Sequence, residues 1–109
     1  MSTNPTVSER ITAEVTSWPG VEAGPGDRGS FAFRLGRREF GHLHGDRVAH
    51  FAFPRELCAE LRAQGRVTEH PVASPGLAAR ALRTEADVDD VIALLRLNYD
   101  RERELAAAA

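Results

Sequence analysis

Residues 38–53 read REFGHLHGDRVAHFAF, and this stretch decides the predicted fold. Two segments of roughly alternating apolar and polar residues, 38–44 and 47–53, flank the pair Gly45-Asp46, which is a common hairpin turn. A preceding segment, residues 31–35, alternates in the same way. The pattern therefore predicts three consecutive antiparallel strands joined by tight turns.

Successive side chains of a β-strand point to opposite faces of the sheet. The predicted strand over residues 38–44 therefore carries a different set of side chains on each face. We expect one face to hold Phe40, His42 and His44, and the other face to hold Glu39, Gly41 and Leu43.

The length of the turn after His44 decides which face His50 occupies. A two-residue turn at Gly45-Asp46 pairs His42 with Ala49 and sends His50 to the opposite face, whereas a three-residue turn through Arg47 pairs His42 with His50. We favour the three-residue turn, because it alone gathers His42, His44 and His50 on one face.

Helices are predicted on both sides of the meander. Thr6 and Glu9 have the spacing of a capping box that begins a first helix. Residues 22–30 are rich in glycine and predict a loop that can adopt unusual dihedral angles near a site. Pro54 suits the first turn of a second helix, which Gly65 ends.

The remaining residues predict a loop over 66–76, a fourth strand over 77–83 and a final helix capped by Thr84. The order α-β-β-β-α-β-α is typical of an α+β domain, with a small antiparallel sheet of about four strands and helices packed on one face. We expect a disordered lead over residues 1–5, a single domain over 6–105 and a frayed tail over 106–109.

Composition excludes several classes of function. The net charge is -2, which gives no electrostatic reason to expect nucleic acid or a membrane surface as a partner. Cys58 is the only cysteine, so no disulfide can form within the chain and a cytoplasmic location is expected. Local arginines, such as Arg38 and Arg47 beside the histidines, suit a small anionic or enolate-bearing ligand.

All four histidines lie between His42 and His70. Imidazole changes its protonation most easily near neutral pH, and it is also the commonest metal ligand. A single histidine on a sheet is most often a structural residue, but a cluster of them with a nearby carboxylate, Glu39, indicates a functional site. The oligomeric state of the chain is left open by the sequence.

Two further interpretations stay open. His42, His44 and His50 with Glu39 have the donor types for a divalent metal such as zinc or iron, although their spacing matches no specific zinc motif. The chain is also small enough to be a noncatalytic ligand-binding domain.

The ordered pattern from Arg38 through His50, Gly65, His70-Pro71 and Tyr99 resembles the small bacterial proteins of the luciferase family. It also resembles the C-terminal half of the fungal luciferase that oxidises 3-hydroxyhispidin. The resemblance covers most of the chain, and its Glu-x-x-His-x-His core is moderately specific.

The resemblance implies an oxygenase-like enzyme that needs no cofactor, with a small enolic or aromatic substrate and dioxygen as its partners. His42 or His44 would act as the base, and Glu39 or a second histidine, such as His50, would orient it. Arg38 or Arg47 would stabilise an enolate oxygen. The remaining substrate-binding residues would be Phe40, Phe51 and His70.

Overall fold

The computed structural model describes residues 4–108, which form a six-stranded antiparallel sheet and three α-helices. The strands lie in the order β1-β2-β3-β4-β6-β5. This arrangement confirms the α+β class. The elements are, in chain order, α1 (Val7–Thr16), β1 (Val21–Pro25), a 3-10 turn (Asp27–Gly29), β2 (Phe31–Leu35), β3 (Arg38–His44), β4 (Val48–Ala52), α2 (Arg55–Ala63), β5 (Thr68–Glu69), β6 (Leu77–Ala81) and α3 (Glu85–Ala108).

Two strands go beyond the four that the sequence predicts. β1 lies in the segment expected to be a loop, and it is an edge strand that pairs only with β2, so Pro25 needs no backbone donor there. β5 has two residues and pairs with β6 at the other edge. Both strands are short or rich in weak strand formers, which explains why alternation does not reveal them.

The helices enclose one hydrophobic core on one side of the sheet. α1 begins with the predicted capping box, in which Thr6 accepts from the backbone N–H of Glu9 and the Glu9 carboxylate accepts from that of Thr6. All three helices contribute buried side chains to a single cluster with the sheet. Its largest fully buried members are Tyr99, Phe33, Ile11, Leu43, Leu94, Leu95, Val15, Val91 and Cys58.

Gly41 allows α3 to lie close against β3. A Cβ atom at this position would overlap the Cδ2 atom of Leu95, which is fully buried. The glycine therefore faces the helix and relieves crowding there, and it does not face the histidines.

The predicted chain ends lie only partly within the described residues. Residues 4–6 precede α1 without regular structure, and α3 continues through Ala108. The rest of the predicted lead and of the predicted tail lies outside residues 4–108. Among the described residues, no helix is long and apolar enough to cross a membrane.

The start of α3 is fixed by Asp87. One carboxylate oxygen accepts from the guanidinium of Arg80 at 2.7 Å, and the other accepts from the backbone N–H groups of Arg83 and Thr84 at 2.9 and 3.0 Å. The bond from Arg80, followed by those from Arg83 and Thr84, lowers the pKa of Asp87 to about 2.

We expect Asp87→Asn to lower the midpoint of thermal unfolding at pH 7, because the neutral amide loses the ion pair. A carboxylate whose folded pKa is depressed stabilises the fold above its ordinary pKa of 3.8 and loses that contribution as pH falls towards about 2. The gap between wild type and Asp87→Asn should therefore close over that interval, as followed by circular dichroism. A gap that stays constant from pH 7 to pH 2 would contradict this account.

Candidate active site

A β-bulge in β3 determines which side chains face the histidines. Phe33 of β2 pairs with Gly41, but the next residue, Arg34, pairs with Glu39, so Phe40 is an extra residue in β3. Phe40 and Gly41 both face the helices as a result. The alternation of side chains between the two faces of the sheet is shifted by one position for the residues that precede Phe40. Glu39 therefore lies on the same face as His42.

The turn between β3 and β4 has three residues, as predicted. His44 pairs with Val48 and His42 pairs with His50, while Gly45 takes the left-handed conformation at φ 57°. This register confirms that His42, His44 and His50 share one face of the sheet. It is the face opposite the helices.

The four imidazole rings pack edge to face or tilted against one another. The ring centroids of His42 and His44 are 5.0 Å apart, and each lies close to the centroid of His50, at 5.2 and 4.6 Å respectively. His70 reaches the group from the segment after β5, with its centroid 4.2 Å from that of His50. The structure therefore brings all four histidines together.

Two hydrogen bonds orient rings of this cluster. Nδ1 of His42 lies 2.7 Å from Oε2 of Glu39, so a proton on Nδ1 is donated to the carboxylate and Nε2 is left with a lone pair in the neutral ring. Nδ1 of His70 accepts from the backbone N–H of Val72 at 2.9 Å, so the neutral His70 ring carries its proton on Nε2. His42 is thus an acceptor at its free nitrogen, and His70 is a donor.

Burial keeps His50 uncharged. Its side chain is almost entirely removed from solvent, and this desolvation, reinforced by the neighbouring His70, His44 and His42, lowers the pKa of His50 to about 4. Burial also lowers the pKa of His44, with smaller contributions from His42 and His70. At neutral pH both rings therefore offer lone pairs.

The histidines form the floor of a pocket of about 350 Å³. Its walls are two loops: the 27–30 loop, which contains the 3-10 turn, and the 70–72 loop. The sheet supplies small side chains beside the floor, because Ala32 is the cross-strand partner of His42 and Ala79 that of His50. The pocket is lined by Asp27, Arg28, Ser30, Glu39, His42, His44, His50, His70, Pro71 and Val72.

Four predicted substrate-binding residues are not brought to this pocket. Phe40 and Phe51 are buried among the core side chains on the helix side, Phe40 because of the bulge and Phe51 because it follows His50 in β4. Arg38 forms an ion pair with Glu102 of α3 at 2.7 Å. Arg47 is exposed in the β3–β4 turn and does not line the pocket.

Sequence reasoning missed the polar residues of the 27–30 loop. Arg28 supplies a guanidinium to the pocket wall and has a left-handed backbone, with φ 55° and ψ 39°. A left-handed conformation is unfavourable for a residue with a side chain, and such strain is frequent at functional sites. The only sequence signal was the glycine-rich character of residues 22–30.

The arrangement is suited to proton transfer and to binding an oxygen-rich group. A His42 ring oriented by Glu39 can accept a proton at Nε2. Arg28 and the N–H of His70 are hydrogen-bond donors in the lining of the pocket. The ligand atoms of His42, His44 and His50 also lie within 4.8 Å of one another, which makes these three residues the candidates for holding a metal ion.

Comparison with known proteins gives one match. The family model of the Luciferase domain matches residues 37–98, which is more than half of the chain and includes all four histidines. A search of curated proteins and a search of solved structures each found no match.

We expect Arg28→Gly to be more stable than Arg28→Ala by about 1 kcal/mol, because only glycine adopts the left-handed conformation without a steric cost. Both substitutions remove the same guanidinium, so their difference isolates the backbone. Urea unfolding monitored by the fluorescence of Trp18 measures it. Equal stabilities for the two variants would show that the loop is not strained at this position.

Proposed function

The chain belongs to the Luciferase domain family, and on this premise we propose that it is a luciferase-like enzyme, which binds a small enolic or aromatic compound in the histidine pocket and promotes its reaction with dioxygen. One observation carries the proposal. Four imidazoles and the carboxylate of Glu39, which are spread over more than thirty positions of the sequence, line a single pocket of about 350 Å³.

The Glu39–His42 pair is the proton acceptor in this proposal. The carboxylate holds Nδ1 of the ring at 2.7 Å, which fixes the orientation of His42 and stabilises the imidazolium that forms when Nε2 takes a proton. Because Glu39 acts through His42, it is a positioning residue. His44 and His50, whose pKa values are lowered by burial, are uncharged neighbours of this pair.

Donors in the pocket wall would hold the substrate oxygens. Arg28 offers a guanidinium fork for an enolate oxygen or an adjacent oxygen pair, and His70 offers an N–H. Fixed donors stabilise negative charge as it develops on the substrate. These two residues take the role that the sequence assigned to Arg38 and Arg47.

The proposed chemistry needs only the substrate, dioxygen and a base. His42 removes a proton from an electron-rich carbon acid RH, and the resulting carbanion forms a carbon–oxygen bond with dioxygen. The proton then returns to the terminal oxygen and gives the hydroperoxide ROOH, which breaks down further. RH and O₂ account for every atom and electron of ROOH, so this step requires no other oxidant.

The proposed setting is the cytoplasm, as the single cysteine suggests. The ligand is a small molecule, since the pocket has room for one and the net charge of -2 offers no general attraction to nucleic acid.

We expect Glu39→Gln to lower kcat for oxygen consumption by about 10²-fold with little change in KM, because the neutral amide no longer stabilises the imidazolium. The assay follows dioxygen uptake with 3-hydroxy-2-pyrones, including 3-hydroxyhispidin. Glu22→Gln is the matched control, since Glu22 lies exposed on β1 outside the pocket, and we expect it to retain wild-type activity.

Substrate binding is measured separately, through the change in pyrone absorption that accompanies enolate formation. Turnover that is unaffected in both Glu39→Gln and His42→Gln would overturn the assignment of the pair. Binding by the wild type without any dioxygen uptake would favour the noncatalytic ligand-binding interpretation. An absence of both binding and uptake across the pyrones would reject the proposed substrate class.

A further inference from the structure

We propose that His42, His44 and His50 form a three-histidine site for a divalent transition-metal ion of the zinc type, with Glu39 as the carboxylate that orients His42. The proposal goes beyond the proposed function, since the ion would occupy Nε2 of His42, the atom that acts as the base in the metal-free protein, and it rests on that function only for the class of substrate. It does not depend on catalysis, because ion binding can be measured without a substrate.

The distances between the ligand atoms support this assignment. One nitrogen from each of the three rings lies within 4.8 Å of the other two. Zinc binds histidine nitrogens at about 2.0–2.1 Å in a tetrahedron, which requires neighbouring nitrogens to lie about 3.3 Å apart. The proposal therefore requires side-chain rotations that bring the three nitrogens closer together when the ion binds.

The backbone that carries the three ligands is rigid. His42 and His50 are direct cross-strand partners in the centre of the sheet, and His44 lies two residues further along β3 on the same face. Ligands on adjacent strands hold their spacing more accurately than ligands on loops do. The three-residue turn at Gly45 is what creates this register.

Glu39 supplies the partner that metal-binding histidines usually have. A histidine that binds a metal through one nitrogen commonly donates its other N–H to a carboxylate, which fixes the ring and makes it a better ligand. Nδ1 of His42 already makes this contact with Oε2 of Glu39 at 2.7 Å, so Nε2 is the nitrogen available to an ion. This contact exists only because the bulge turns Glu39 to the histidine face.

The remaining environment favours an ion over an empty cluster. Within residues 4–108, the ring nitrogens of His44 and His50 make no hydrogen bond to protein atoms, whereas His42 and His70 each use one nitrogen in this way. Lone pairs from different rings are therefore directed to one region without a protein partner.

Imidazole donors select the class of ion. They suit zinc, copper, iron and nickel, and they are poor ligands for magnesium and calcium, which prefer oxygen. Three protein ligands leave a fourth position open to the pocket of about 350 Å³, as in sites where a metal binds water or substrate. In this proposal, an enolate oxygen of the substrate would take that position.

An ion at this site would change the role of His42. Nε2 cannot accept a proton while it binds a metal, so the ion would promote deprotonation by binding the enolate oxygen, and the proton would pass to solvent or to a pocket carboxylate such as Asp27. Metal-free and metal-loaded protein are therefore expected to differ in turnover.

The test is a cobalt titration of the full chain, which is produced without a histidine tag and stripped with a chelator. Co²⁺ held by three imidazoles in a site of low coordination number absorbs visible light far more strongly than octahedral hexahydrated Co²⁺, whose visible band is weak. We expect one equivalent to bind to the wild type, with Zn²⁺ displacing it. We expect His44→Ala to weaken binding at least 100-fold, and Glu39→Gln to weaken it 10- to 100-fold.

Two variants control for nonspecific loss of charge and for misfolding. Glu22→Gln removes a carboxylate of the same type from an exposed position on β1, so it should bind Co²⁺ like the wild type. His44 is less buried than His50, so His44→Ala is the safer ligand substitution, and circular dichroism verifies that it folds. If His44→Ala does not fold, Glu39→Gln provides the decisive comparison, because Glu39 is exposed.

Several results would overturn the proposal. These are visible absorption in the wild type that stays as weak as that of hydrated Co²⁺, binding that is unchanged in both His44→Ala and Glu39→Gln, and equal loss of binding in Glu22→Gln. The failure of this site is distinguishable from the failure of the proposed function. Pyrone-dependent oxygen uptake by metal-free protein without cobalt binding would reject the site alone, whereas tight cobalt binding without pyrone binding or uptake would reject the function alone.

Discussion

One extra residue in β3 controls the chemistry of the pocket. The bulge at Phe40 lets the strand keep Phe40 and Gly41 against the helices while it turns Glu39 towards His42. In a regular strand, residues three positions apart point to opposite faces, and the carboxylate could not reach the ring. The same irregularity therefore completes the aromatic packing of Phe40 with Trp18 and Tyr99 on one side and pairs an acid with an imidazole on the other.

Features that depend on short stretches of sequence were predictable. The capping box at Thr6 and Glu9 involves four consecutive residues. The turn after His44 was predicted from the Gly45-Asp46 pair and from the clustering of the histidines. The face of His50 required a choice between two registers, and the clustering favoured the correct one. The α+β class followed from the order of these local signals.

Features that depend on contacts between distant residues were not predictable from the alternation of apolar and polar residues along a strand. The bulge is defined by the pairing of β3 with Phe33 and Arg34 of β2. Relative to the predicted strand, Glu39 and Phe40 exchange faces, and nothing in the sequence of residues 38–44 alone indicates this exchange. Arg38 is held by Glu102, which lies more than sixty positions away. Arg28 reaches the pocket through a strained backbone that no propensity favours.

The floor and the walls of the pocket come from different kinds of backbone. His42, His44 and His50 lie on the central strands, whose other face is buried under the helices, while Arg28, His70 and Val72 belong to surface loops. Substitutions in the loops leave the buried core and the strand pairing intact. Sequence changes confined to these two loops would therefore alter the walls of the pocket while leaving its histidine floor in place, at small cost in stability.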